Sequence, residues 1–149
     1  MTRMYEGSSK NVHIGNDKAA IFEFTDRYSV FDWGAMPDLL PQKGMALAHM
    51  GATFFKLLEK KGIAHHFISL VDSEGETLGA NQVSRFMKVE AVDVHRPVRT
   101  GTSYDYTFYQ KKPTDCLIPL EVIFRWGAPA GSSLLKRHPH LKENERFSQ

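Results

Sequence analysis

The chain has 149 residues, 42% of them apolar and 24% charged, which suits one globular domain with a single core and excludes disorder over most of its length. Its net charge of +2 is scattered along the chain, against the concentrated basic face of a nucleic-acid binder. The single cysteine, Cys116, excludes an internal disulfide and suits a reducing cytoplasm; no apolar run nears the roughly 18 residues that span a bilayer, and Arg3 and Glu6 occupy the place of a signal core.

In chain order, Tyr5-Glu6-Gly7-Ser8-Ser9-Lys10 is a small-residue loop ending in lysine and running into an apolar strand. Such a loop can wrap backbone N–H groups and an ammonium around phosphate, although it is neither of the common glycine-rich phosphate motifs. Asn11 to Ile14 and Ala19 to Phe24 read as two strands of a hairpin turning at Gly15-Asn16-Asp17. Thr25 to Gln42 has no sustained period and reads as a long irregular connection, with Asp26, Arg27 and Asp32 either making local turn contacts or serving a site.

From Lys43 to Lys61 the residues Leu47, Met50, Phe54, Leu57 and Leu58 recur at helical spacing, and Gly62 supplies a stop. This predicts one main helix with that stripe in the core. Lys43 in its first turn opposes the helix dipole, a mild pointer to an anionic ligand. His66 to Val71 and Arg85 to His95 read as strands around a polar turn at Asp72 to Gly79. Tyr104 to Tyr109 reads as an aromatic strand, and Leu117 to Trp126 as an apolar strand opening into a loop at Gly127 to Ser133. From Leu134 onward the chain is strongly polar and is expected to be extended. The order of elements lacks βαβ alternation, so the fold class is α+β: an antiparallel sheet with one main helix.

Glu121 and Arg125 lie four apart, which on a strand puts both on one face, either as site residues or as a structural ion pair. The seven histidines show no metal-ligand spacing, so no metal site is expected. Tyr104, Tyr106 and Phe108 would alternate onto one face of their strand, the feature a single-stranded nucleic-acid module would use.

Taken in order, Tyr5 to Lys10, Thr25 to Asp32, Lys43-Gly44, Leu57 to Ile63 followed by His66-Phe67-Ile68, and the run through Arg125 to Gly131-Ser132 resemble the SAICAR synthetase family. The resemblance implies an ATP-dependent ligase of purine biosynthesis. It joins L-aspartate to carboxyaminoimidazole ribonucleotide through an acyl phosphate, with magnesium and with ATP in a cleft between two lobes. It implies a small antiparallel N-terminal lobe like that of protein kinases at residues 1–121, and a hinge with the beginning of a second lobe at 122–149.

By position, the resemblance puts Gly7, Ser8, Ser9 and Lys10 over the ATP phosphates, Lys88 near the nucleotide, and the backbone of Leu120 and Val122 at the adenine. Glu121 faces the substrates; Arg125 and Ser132 hold the ribonucleotide, with Asp32 and Lys43 lining the same cleft. Against the family pattern, Ser8 stands where many members have lysine, the stretch Trp126 to Ser132 is one residue longer, and residues Asp93 to Thr114 look like an inserted hairpin. The family's metal-binding carboxylates have no counterpart, so the chain alone is expected to bind nucleotide weakly without turnover. A non-catalytic platform that binds nucleotide or a partner is the alternative. Pairing of two copies through exposed residues near Phe124 and Trp126 is a further expectation.

Overall fold

A computed structural model describes residues 2–14, 18–30, 33–79, 81–121 and 123–147. Strands β1 (Thr2–Glu6), β2 (Lys10–Ile14) and β3 (Ala19–Phe24) form an antiparallel meander. The chain then leaves the sheet through the two-residue pair β4 (Ser29–Val30) and β5 (Gly34–Ala35), and enters helix α1 (Lys43–Lys60). It returns through β6 (Phe67–Val71) and β7 (Phe86–Glu90), with β7 inserted between β3 and β6, so the five-stranded order is β1-β2-β3-β7-β6. An antiparallel sheet carrying one main helix is the α+β architecture expected from the element order. The turn predicted at Gly15-Asn16-Asp17 lies outside the described residues, as do Asp32 and Val122.

Helix α1 covers the sheet face that carries Ala20, Phe22, Phe24, Met87 and Val89. Its contact face differs from the predicted stripe. Gly44, Ala48 and Ala52 are the buried residues and Phe55 packs beside them, whereas Met50, Phe54 and Leu57 are 57%, 63% and 50% exposed. The reason is close approach. A Cβ on Gly44 would stand 2.3 Å from the Phe24 carbonyl oxygen, and one on Gly51 would stand 3.1 Å from Met87 Cε. Small residues therefore mark the seam, and the large apolar side chains are rotated off it.

The start of α1 is capped from a distance. Gln42 at the N-cap is left-handed (φ 66°) and gives no side-chain bond; Asp26 Oδ1 instead accepts from Gly44 N at 2.8 Å. Asp26 Oδ2 accepts from Arg85 Nη2 at 3.1 Å, which joins helix, connection and the residue before β7 at one carboxylate. The Gly44 N–H, and after it Arg85, hold the Asp26 carboxyl below the usual range.

Past β7, Asp93 and Cys116 form an isolated parallel bridge, with Asp93 N donating to Asp115 O and Leu117 N to Asp93 O, both at 2.8 Å. Residues between them make an excursion that contains the hairpin β8 (Arg99–Thr100) and β9 (Ser103–Tyr104). The predicted aromatic strand is corrected here. Only Tyr104 is in β9, while Thr107–Gln110 is a short helix, α2. Phe108 stacks on His95 with ring centroids 3.9 Å apart, and Tyr109 Oη donates to His95 O, so Phe108 packs inside the excursion while Tyr104 and Tyr106 remain exposed.

The predicted strand Leu117 to Trp126 is also corrected: the described residues there are irregular, with Ile118, Leu120 and Phe124 exposed. An apolar run becomes a strand only where another strand meets its N–H and C=O groups, and among the described residues from Ile118 to Arg125 none is alongside. The expectation of an extended tail is overturned in part. Ser132 Oγ caps α3 (Ser133–Arg137), and β10 (Gly127–Ala128) pairs with β11 (Glu145–Arg146). No helix among the described residues is long and apolar enough to cross a membrane.

Candidate functional site

The glycine loop is the hairpin turn between β1 and β2. Glu6 and Asn11 are its last cross-strand pair, and Gly7 N donates to Lys10 O at 2.9 Å. A Cβ at Gly7 would fall 2.7 Å from that same oxygen, so the closure requires glycine. Ser9 O accepts from Thr25 N at 2.9 Å, tying the far side of the turn to the connection after β3. Ser8 and Ser9 are exposed between these anchors.

Behind the turn lies a polar network on the sheet face opposite α1. Arg27 Nη1 donates to Glu6 Oε1 at 2.8 Å, and Nη2 donates at 2.7 Å to both Gly7 O and Asn11 Oδ1. Asn11, only 2% exposed, donates through Nδ2 to Glu23 Oε2 at 2.9 Å, and His13 Nε2 lies 2.9 Å from the same oxygen. A buried amide with both ends engaged fixes its neighbours as well as itself.

Register decides which cations can share a ligand. Lys10 pairs with Phe24 and Lys88 with Ile21, an odd separation along β3, so the two lysines project from opposite faces. Lys10 is on the α1 side, its Nζ 4.0 Å from the Phe22 ring centroid, and burial pushes its ammonium below the usual lysine range. His66 stands edge-on to Phe22 nearby; desolvation, then Lys10 and His65, lower its pKa as well. Lys43 Nζ donates to Arg27 O at 2.9 Å and reaches Thr25 O at 3.5 Å, so it braces the connection at the foot of the network.

The later candidates lie in the C-terminal segment. Arg125 Nη1 and Ser132 Oγ meet at 3.4 Å, and Ser132 is 9% exposed. Glu121 and Leu120 are exposed on irregular backbone, so the parity argument that paired Glu121 with Arg125 has no strand to act on. Among the described residues, the hydrogen bonds of 123–147 close within that segment, and none joins Arg125 or Ser132 to the glycine turn. An open concavity of about 610 Å³ lies along β10 and β11, lined by Trp126 to Pro129 and Asn144 to Phe147, and no predicted site residue lines it.

The sequence profile of SAICAR synthetase matches residues 3–149. The chain belongs to the SAICAR synthetase family. Among its relatives is an Archaeoglobus fulgidus protein named provisionally as a phosphoribosylaminoimidazole-succinocarboxamide synthase. It is 40% identical over 116 residues, which are 78% of this chain and 34% of that protein. The synthase so named from Thermoplasma volcanium is 31% identical over 126 residues, 85% of this chain and 35% of its own length. Among solved structures, a type-2 SAICAR synthetase in complex with ADP is 29% identical with a TM-score of 0.48, covering 79% of this chain and 47% of that one. The chain spans about a third of the length of these two curated relatives.

SAICAR synthetase family membership directs attention to the donors available for magnesium. Among the described residues no three His, Cys, Asp or Glu side chains converge, and Glu121 stands alone on exposed backbone. Magnesium favours octahedral oxygen donors, and these residues do not fit such a site of their own. Arg27, one of the charged residues flagged in the long connection, meets the turn, whereas its partners Asn11, His13 and Glu23 carried no expectation. A signal was present: Asn11 and His13 alternate with Val12 and Ile14, a polar face on a strand whose other face is apolar.

Proposed function

We propose that this chain supplies the nucleotide-covering lobe of a SAICAR synthetase, a cytoplasmic ligase that uses ATP to join L-aspartate to carboxyaminoimidazole ribonucleotide. The observation that carries the reading is the Gly7–Lys10 turn, a glycine-closed hairpin with exposed serines and a partly desolvated lysine, in a chain of this family. In this reading residues 1–121 are the lobe and 122–149 are the hinge and start of a second one. The helix that follows the third strand supports the comparison with a kinase-like lobe.

In the whole enzyme, a carboxylate oxygen of the ribonucleotide attacks the γ-phosphorus and ADP leaves. The aspartate amine then attacks the acyl carbon, phosphate departs with the bonding pair, and the nitrogen gives up a proton. The contribution of this chain is to bind and orient. Backbone N–H groups of Ser8 and Ser9 and the Lys10 ammonium receive phosphate charge, and Gly7 closes the turn that presents them; Lys88, which projects from the other sheet face, does not share this phosphate site. Leu120 and Val122 offer backbone groups to adenine, Glu121 faces the substrates, and Arg125 with Ser132 and Asp32 holds the ribonucleotide. Lys43 supports the site through the 25–27 backbone it braces. The chain alone binds nucleotide weakly and does not turn over.

Titration of magnesium-ATP into the chain, and into its Lys10→Ala and Arg125→Ala variants, tests this. Lys10→Ala is expected to weaken binding about tenfold, the value of one charge-assisted contact, and Arg125→Ala to leave it unchanged. Equal losses in both variants, or no binding by the unsubstituted chain, would overturn the reading.

A further inference from the structure

The glycine turn is held from behind by a residue far from it in sequence, and the geometry of that hold has a consequence for the exposed side. Arg27 Nη2 pulls on the Gly7 carbonyl at 2.7 Å. The described peptide bonds are all trans, and in a trans peptide the C=O and the following N–H point in opposite directions. Anchoring Gly7 O on the Arg27 side therefore aims Ser8 N–H away from Arg27, at the exposed tip, where no described acceptor takes it.

We propose that Arg27 is a positioning residue of the Gly7–Lys10 turn: its guanidinium fixes the Gly7–Ser8 peptide so that the Ser8 N–H is presented outward to an anionic oxygen. Three acceptors share one planar fork, Glu6 Oε1, Gly7 O and Asn11 Oδ1. Only a guanidinium can satisfy that set, because a lysine ammonium presents a point charge without the rigid fork. The rest of the device keeps Arg27 itself in place. Asn11 is buried and locked to Glu23, and Lys43 at the start of α1 holds the Arg27 carbonyl at 2.9 Å. A continuous chain of hydrogen bonds thus runs from the helix terminus through Lys43 and Arg27 to the turn.

The identity of the anion as ATP phosphate rests on the function proposed above; the ordering of the turn by Arg27 does not. The test separates the two. The Gly7 amide, bonded to Lys10 O, reports closure of the turn, and its hydrogen exchange can be followed by NMR in the unsubstituted chain and in Arg27→Gln and Arg27→Lys. Losing the charged donor is expected to speed Gly7 exchange at least tenfold in Arg27→Gln, with the Phe22 and Met87 ladder amides unchanged. Arg27→Lys, the milder change if the glutamine variant fails to fold, is expected to speed it at least threefold. Gly7 exchange that stays at the unsubstituted rate in a folded variant would overturn the inference, as would acceleration shared equally by the ladder amides.

Magnesium-ATP titrations of the same variants give the second arm. A tenfold loss of affinity with ladder exchange intact supports the outward Ser8 N–H as the phosphate contact. A loosened turn that binds magnesium-ATP as well as the original overturns that part of the inference. Absence of binding by the unsubstituted chain, with the exchange result as expected, removes the nucleotide reading and leaves Arg27 in its positioning role.

Discussion

The sheet with α1 and the segment after Cys116 are built from similar proportions of apolar residues and end in opposite states. In the first, Met87 and Val89 on the central strand β7 are each 1% exposed, between β3 and β6 and under the small-residue face of α1. In the second, Leu120 and Phe124 are each 72% exposed and Trp126 is 65% exposed. Apolar composition supplies a driving force in both, but only in the first does the central strand have a strand on each side and a helix over its apolar face. Such an exposed run is the kind of surface that meets another body.

The sharpest way to break the comparison is to truncate one large side chain in each region. Met87→Ala is expected to cost about 2–5 kcal/mol, and Phe124→Ala no more than about 0.5 kcal/mol, read as shifts in urea midpoint at constant slope. Equal costs would mean that the segment is packed as firmly as the sheet. Next in size is the seam itself. Gly44→Ala places a methyl against the Phe24 carbonyl and is expected to destabilise by about 1–3 kcal/mol despite the better helix propensity of alanine.

Ser132→Ala removes the α3 cap and is expected to cost about 0.5–1 kcal/mol within the segment. Hydrogen exchange should quicken over Ser133 to Arg137, while the β3 and β7 amides keep their rates. The smallest effect is one of acidity. Because Asp26 titrates below its unfolded value, its contribution is full above about pH 4 and is lost as pH falls through the folded pKa. Asp26→Asn should therefore flatten the acid side of the stability profile, measured as the difference in urea midpoint between neutral and acid pH.

Much of the first region was legible in the sequence for a physical reason. Strands β2, β3 and β6 and helix α1 carry their period locally, so Asn11 to Ile14, Ala19 to Phe24 and Lys43 to Lys61 could be placed from neighbours alone. The contact face of α1 was not, because Met50, Phe54 and Leu57 form the larger apolar stripe while the seam selects Gly44, Ala48 and Ala52 by distance. Strand β7 proved shorter than the alternation through His95, since the chain turns away at Ala91 into the excursion. Of the site, the Gly7 turn could be read from its small residues and lysine. Arg27 was flagged by its charge in the long connection, but its role was not legible, because its partners Gly7 and Asn11 lie 20 and 16 residues away and meet it only through the sheet register.

The bridge of Asp93 to Cys116 has a practical corollary. The backbone departs and comes back at adjacent points, so whatever is spliced between them sees a gap already closed and imposes little extra loop entropy. Replacing the intervening hairpin with a short glycine-serine connector, or with a genetically encoded fluorescent label, should leave the sheet and its glycine turn undisturbed. The excursion is thus a ready attachment point for surface immobilisation or distance measurements on this chain.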